Sequence, residues 1–288
     1  MKLENKHIRV EVDPFGAVLK SIQKQNKEYL WQADPSIWAY GDHNLFPIVG
    51  RLHEGKYTLS GKEYNLPIHG FCIDRMFELA EQTEDSITFS LTDSAETRNM
   101  FPFKFRLLIT YRLEGETLTK VCRVENLDSK VMYFGIGSHP GFCLPTDEAD
   151  FASWKLRFKH PCKPTQVLVD MNTLMPNGEE QAFKMKDDQT IELSHDLFLD
   201  DALHLKDICH EITLFSEKTD RSITVEYPDC PYLGLWQAPK NGADYICIEP
   251  WYNMPASSGE RIDFSTKEDL ISLQPGEAYE NTLRITVH

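Results

Sequence analysis

Residues 105–126 read FRLLITYRLEGETLTKVCRVEN. Apolar side chains stand at 105, 107, 109, 111 and 113, with Arg106, Thr110 and Arg112 between them. A repeat of two residues is the mark of a strand that buries one face. The segments 105–113 and 117–126 flank the turn EGE, so the stretch reads as a β-hairpin. The same alternation returns in HIRVEV (7–12), AVLKSI (17–22) after the turn DPFG, SITFSL (86–91), EITLFS (211–216), SITVEY (222–227) and TLRITV (282–287). No apolar stripe with a repeat of 3.6 residues runs through the chain. Only two short helical segments are expected, at 93–100 with Asp93 or Ser94 as the cap, and at 194–198. The expectation is an all-β, mainly antiparallel fold, with large sheets packed face to face in a single domain, 1–288. KHPCKPTQ (159–166) is too short to divide it, and the acidic stretch 185–205 is expected to be a long excursion.

The chain has 288 residues, 41 % of them hydrophobic, enough for a sizeable core. Its 45 acidic and 30 basic residues give a formal net charge of -15, which argues against a nucleic-acid partner. Seven cysteines are scattered without a C-x-x-C pair, so neither a disulfide framework nor a zinc ribbon is expected. Reduced thiols, no apolar signal core in MKLENKHIRVEV and no run of about 18 apolar residues lead to the expectation of a cytoplasmic protein with no membrane partner.

Five polar residues sit beside glycine, proline or aromatic residues. Glu249 follows the apolar run YICI and precedes Pro250 and Trp251. A carboxylate there is costly unless it is paired or used, and an apolar surround raises its pKa toward that of a general base. A strand-end ion pair is its plainer role. His139 lies in GIGSHPGFCLP (135–145), after the strand-like KVMYF, where glycines free the backbone and prolines fix it. It reads as a proton donor or as a core histidine. His69 stands in the turn LPIHG; Arg51, after Gly50, suits hydroxyl recognition or a buried ion pair; Asp201, in LDDAL, is a site acid or a capping residue. Trp236, Trp251 and Tyr252 supply aromatic faces on which the C–H face of a sugar packs. H-E-x-x-H fails at Tyr57, G-x-S-x-G fails around Ser138, and no phosphate loop or dinucleotide fingerprint is present. Nothing in the spacing calls for a metal or another cofactor.

GR at 50–51, LPIHGF at 66–71, SHPGFCLP at 138–145, DAL at 201–203 and IEPW at 248–251, in this order, resemble the aldose 1-epimerase (galactose mutarotase) family, and within it the LacX-like branch. The resemblance implies a β-sandwich (supersandwich) of the galactose-mutarotase type and a cofactor-free reaction on a small sugar. It implies Glu249 as the base that takes the proton of the C1 hydroxyl and His139 as the acid that protonates the ring oxygen. His69 would support the developing charge, and Arg51 and Asp201, with Trp236 beside them, would hold the sugar. Asp200 competes with Asp201 as the counterpart. Ile73 stands where related hexose-6-phosphate mutarotases carry a basic residue, and Arg75 is out of register, which favours an unphosphorylated hexose such as galactose or glucose. The alternatives are a hexose-6-phosphate mutarotase, a carbohydrate-binding module without catalysis, and a glycosidase using Asp201 and Glu249. The oligomeric state is left open.

Overall fold

The computed structural model describes residues 1–239 and 242–288. Its longest hairpin joins Phe105–Glu114 to Thr117–Asn126, with Phe105 opposite Asn126 and Glu114 opposite Thr117. Gly115 closes the turn at φ 59°, in the left-handed region that glycine enters freely. Phe105, Leu107, Ile109, Tyr111 and Leu113 all point inward and are buried, as the alternation requires. The second strand breaks the apolar rule at two inward positions, Lys120 and, at its end, Asn126. Lys120 is buried, with its Nζ 3.9 Å from the equally buried carboxylate of Asp42. Burial raises the Asp42 carboxyl, and the Lys120 charge opposes that rise.

The hairpin lies within a nine-stranded antiparallel sheet. Ala278–Val287 joins it on one side and Ser86–Thr92 on the other. A second sheet, of eight strands, is built around Tyr245–Trp251, which pairs with Tyr232–Trp236 on one side and with Gly137–Ser138 and Gly141–Cys143 on the other. Every residue of Tyr245–Trp251 is buried. Ile246 and Ile248 enter the main core, together with Ile109, Tyr111 and Val225 of the nine-stranded sheet. Cys247, Glu249 and Trp251 point to the opposite face. Each fully buried Ile, Leu, Val or Phe contributes about 1.5–3 kcal/mol, so the alternation fixes which face meets the core.

The only α-helix among the described residues is Ala95–Met100. Ser94, not Asp93, caps it: the Thr97 amide donates to Ser94 Oγ at 3.1 Å, and the Ser94 amide donates to Thr97 Oγ1 at 2.8 Å. Residues 195–198 form a 3-10 turn. The stretch 185–205 is less of an excursion than its acidity predicts, because Thr190–Glu192 extends one sheet and Leu203–Lys206 sits inside the other. The seven cysteines are free thiols. No helix among the described residues is long and apolar enough to cross a membrane.

Candidate active site

One row of residues across the eight-stranded sheet builds the floor of a cleft. Gly137 pairs with Trp251 and Gly141 with Cys247, which brackets His139 opposite Glu249. On the far side of Glu249 stands Gly234, and His204 faces Gly234 in turn. Beyond His139 the row ends at His43, whose carbonyl accepts the His139 amide at 3.0 Å. Neighbours in a row lie on the same face of a sheet. The chain thus gathers one carboxylate and three imidazoles from distant segments onto one surface. His139 sits at the break between Gly137–Ser138 and Gly141–Cys143, as a strand-end reading of its sequence expects. The reason for its glycines differs from that reading. None of Gly135, Gly137 and Gly141 takes a positive φ. A side-chain carbon on Gly141 would instead lie 2.7 Å from the Trp38 ring, so the bare position lets Trp38 lie down beside His139. The two rings stack at 5.1 Å.

The resulting cleft has a volume of about 240 Å³, and Arg51, His69, His139, Asp201, Trp236 and Glu249 all line it. His139 Nε2 lies 3.3 Å from Glu249 Oε1. Trp236 Nε1 donates to Asp201 Oδ1 at 2.7 Å, which identifies Asp201 rather than the exposed Asp200 as the cleft carboxylate. His69 and Gly50 clamp each other. The Gly50 amide donates to His69 Nδ1 at 3.1 Å, and the His69 amide donates to the Gly50 carbonyl at 2.9 Å. An accepting Nδ1 leaves the ring proton on Nε2, available as a donor. The clamp also places Arg51, the next residue. Arg51 forms no ion pair among the described residues. His69 and Asp201 hold left-handed backbones, at φ 63° and 72°, a conformation in which strain collects at functional sites.

Burial raises the Glu249 carboxyl well above the usual carboxylate range, and the nearby charge of Asp201 raises it further. The indole of Trp251 pulls the other way. Burial also pushes the His139 imidazole well below its ordinary value, assisted by His43 and His69. The partly open His69 falls to about 3, through desolvation and the charge of Arg51. Both members of the 3.3 Å pair are therefore held toward their neutral forms. Such a pair can accept a proton at one atom and release one at another.

The model of the family described as aldose 1-epimerase matches residues 1–286. The chain belongs to that family. The chromosomally encoded LacX protein of Lactococcus lactis subsp. lactis is 30 % identical over 303 aligned residues, covering 100 % of this chain and 99 % of LacX. A galactose mutarotase related enzyme from Lactobacillus acidophilus has the same fold, with a TM-score of 0.95 and 32 % identity over 100 % of this chain and 97 % of its own. A galactose mutarotase-like protein from Lactobacillus casei ATCC 334 gives 0.93 and 30 %, covering 100 % and 99 %. The architecture is thus the β-sandwich of the galactose-mutarotase type.

In this member of the family, sequence reasoning missed His43, His204 and Trp38, which also line the cleft. His43 and His204 are buried, with the imidazoles lowered to about 3 and about 4 by desolvation. His204 carried a signal: in LHLK it alternates with two inward leucines, so it had to occupy the opposite face. His43 carried none, since its place depends on pairing with a segment far along the chain.

Proposed function

We propose that this aldose 1-epimerase family member interconverts the α and β anomers of an unphosphorylated hexose by acid–base opening and closing of the ring. The observation that carries this reading is the 3.3 Å approach of His139 Nε2 to Glu249 Oε1 on the cleft floor. Anomer exchange needs one proton removed from the C1 hydroxyl and one delivered to the ring oxygen. The C1–O5 bond then breaks, the aldehyde turns about C1–C2, and closure runs the two transfers backward. A pair sharing one proton suffices. The raised carboxyl and the lowered imidazole favour that proton on Glu249; passing it to His139 leaves the carboxylate as base and the imidazolium as acid. The Nε2–H of His69 meets the developing oxyanion. Arg51 and Asp201 hold hydroxyls, and Trp236 fixes the direction of the Asp201 carboxylate.

The charge balance supports a sugar without phosphate. Arg51 is the one lysine or arginine among the described residues lining the cleft, against the acids Asp201 and Glu249. Arg75, the other candidate cation from the sequence, is tied to Glu96 at 2.8 Å and lies outside the cleft. The test is NMR anomer exchange on free and 6-phosphorylated hexoses, with Glu249→Gln as control. Acceleration of a free hexose that disappears in the variant is expected. Binding without acceleration of any sugar would replace the enzyme with a carbohydrate-binding protein.

A further inference from the structure

A side chain with no part in sugar chemistry stands beside the acid–base pair. Cys247 precedes Glu249 by two residues on Tyr245–Trp251, so both project from the same face. Its thiol packs among Trp38, Trp236 and Tyr245. One ligand atom each from His139, Cys247 and Glu249 lies within 4.8 Å of the other two.

We propose that His139, Cys247 and Glu249 form a binding site for a borderline-soft divalent cation, Zn²⁺ in the first instance, and that the bound ion blocks the acid–base pair. One of the three ligands offers an unsatisfied polar atom at a position more than nine-tenths buried. Glu249 Oε1, the oxygen that faces His139 Nε2, has no hydrogen-bond partner, with the residue 1 % exposed. Buried polar atoms are normally satisfied, so such a cluster is one that an ion can complete. The spacing also fits. Zinc bonds of about 2.0–2.3 Å place tetrahedral ligand atoms roughly 3.3–3.8 Å apart. The 3.3 Å between His139 Nε2 and Glu249 Oε1 already has that length. The sulfur closes the remainder by a shift of about 1 Å.

The donor set selects the ion. Thiolate and imidazole favour zinc over magnesium or calcium, which prefer oxygen throughout. One thiolate, one carboxylate and a neutral imidazole balance a 2+ charge, so the complex leaves no net charge in a buried place. On binding, the thiol proton and the proton held by Glu249 pass to solvent. The ion then occupies lone pairs that proton transfer to the sugar requires. Binding is independent of the sugar reading; the blockade rests on it.

The first experiment titrates the reduced, intact protein with Co²⁺, a spectroscopic substitute for Zn²⁺. The expected result is a near-ultraviolet thiolate-to-cobalt band that Zn²⁺ abolishes and that Cys247→Ser and Cys247→Ala both lack. A missing band in the wild type, or one that persists in both variants, overturns the site. X-ray absorption on the zinc-loaded wild type provides a check without any substitution: one sulfur with nitrogen and oxygen neighbours is expected, and a shell without sulfur overturns it. Where anomer exchange is measurable, the Zn²⁺ concentration for half inhibition should rise at least about tenfold in Cys247→Ala. An unchanged value with the band lost would remove the blockade and keep the site. Absent activity with the band present would count against the mutarotase reading alone.

Discussion

His139 Nε2 and Glu249 Oε1 stand 3.3 Å apart, with Glu249 on a strand and His139 at the break between the two short strands that pair antiparallel with it. Neither segment could place its residue alone. The register of Gly137 on Trp251 and Gly141 on Cys247 sets the pair, and a slip by one residue would turn Glu249 into the core. The same row carries His43 and His204, so the surroundings that shift both pKa values are fixed by the same pairing.

Replacing the carboxylate with an isosteric amide separates binding from proton transfer. Glu249→Gln keeps the shape and loses the proton acceptor, so anomer exchange should fall by roughly 10²–10⁴ while the sugar Kd changes little. His139→Asn should lose a factor on the order of 10² or more. Exchange rates by NMR and affinity by calorimetry check both. A Glu249→Gln enzyme with wild-type turnover would remove the carboxylate from the mechanism.

The pair also sets the pH profile. It is active while it holds one proton. Falling pH adds a second proton as it passes the His139 value, which burial places well below 6.5, and rising pH removes the shared proton at the Glu249 value, well above 4.5. Turnover should therefore be flat between those two values and decline on both sides. Asp201 contributes to the raised carboxyl, so Asp201→Asn should move the alkaline limb to lower pH. A limb that stays in place would show that the Asp201 charge does not reach Glu249.

Much of this arrangement was legible in the sequence, and its limits are physical. The alternation in 105–126 gave the hairpin because each residue's face depends only on its parity. Lys120 departed from it since its partner, Asp42, comes from a distant segment. Of the cleft residues, Glu249 and His139 were marked by local company, an apolar run and a proline-bounded turn. The row that unites them with His43 and His204 depends on strand pairing between positions 43 and 249, which no local pattern encodes. The choice between Asp200 and Asp201 turned on the hydrogen bond to Trp236.

His204 gives the fold a pH dependence that can be isolated. Its imidazole is buried and lowered to about 4, whereas the unfolded chain protonates it near about 6.5. The unfolded state thus binds the extra proton below about 6.5, and stability is lost as pH falls from there toward the folded value. Between pH 7.5 and 5 that loss amounts to about 2 kcal/mol for this one group. Urea denaturation at the two pH values should show His204→Gln losing about 2 kcal/mol less than the wild type. Equal losses would mean that His204 is not held neutral.

Gly234 seats the indole that lies behind the carboxylate. It faces Glu249 across the strand pair, and a side-chain carbon there would come 2.2 Å from Trp251 Cζ2 and 2.6 Å from Cη2. The backbone φ of Gly234 is not positive, so the position needs glycine for room rather than for conformation. Trp251 is buried and meets the His204 ring edge-on at 5.2 Å, which leaves it little space to retreat. Gly234→Ala should therefore destabilise by about 1–3 kcal/mol, the usual effect of overpacking, and should alter tryptophan emission. Because Trp251 opposes the raised pKa of Glu249, the variant's alkaline pH limb should move to higher pH if the indole is pushed away. An unchanged denaturation midpoint and an unmoved limb would show that the indole swings clear, and that the empty position opposite Glu249 is not what holds it.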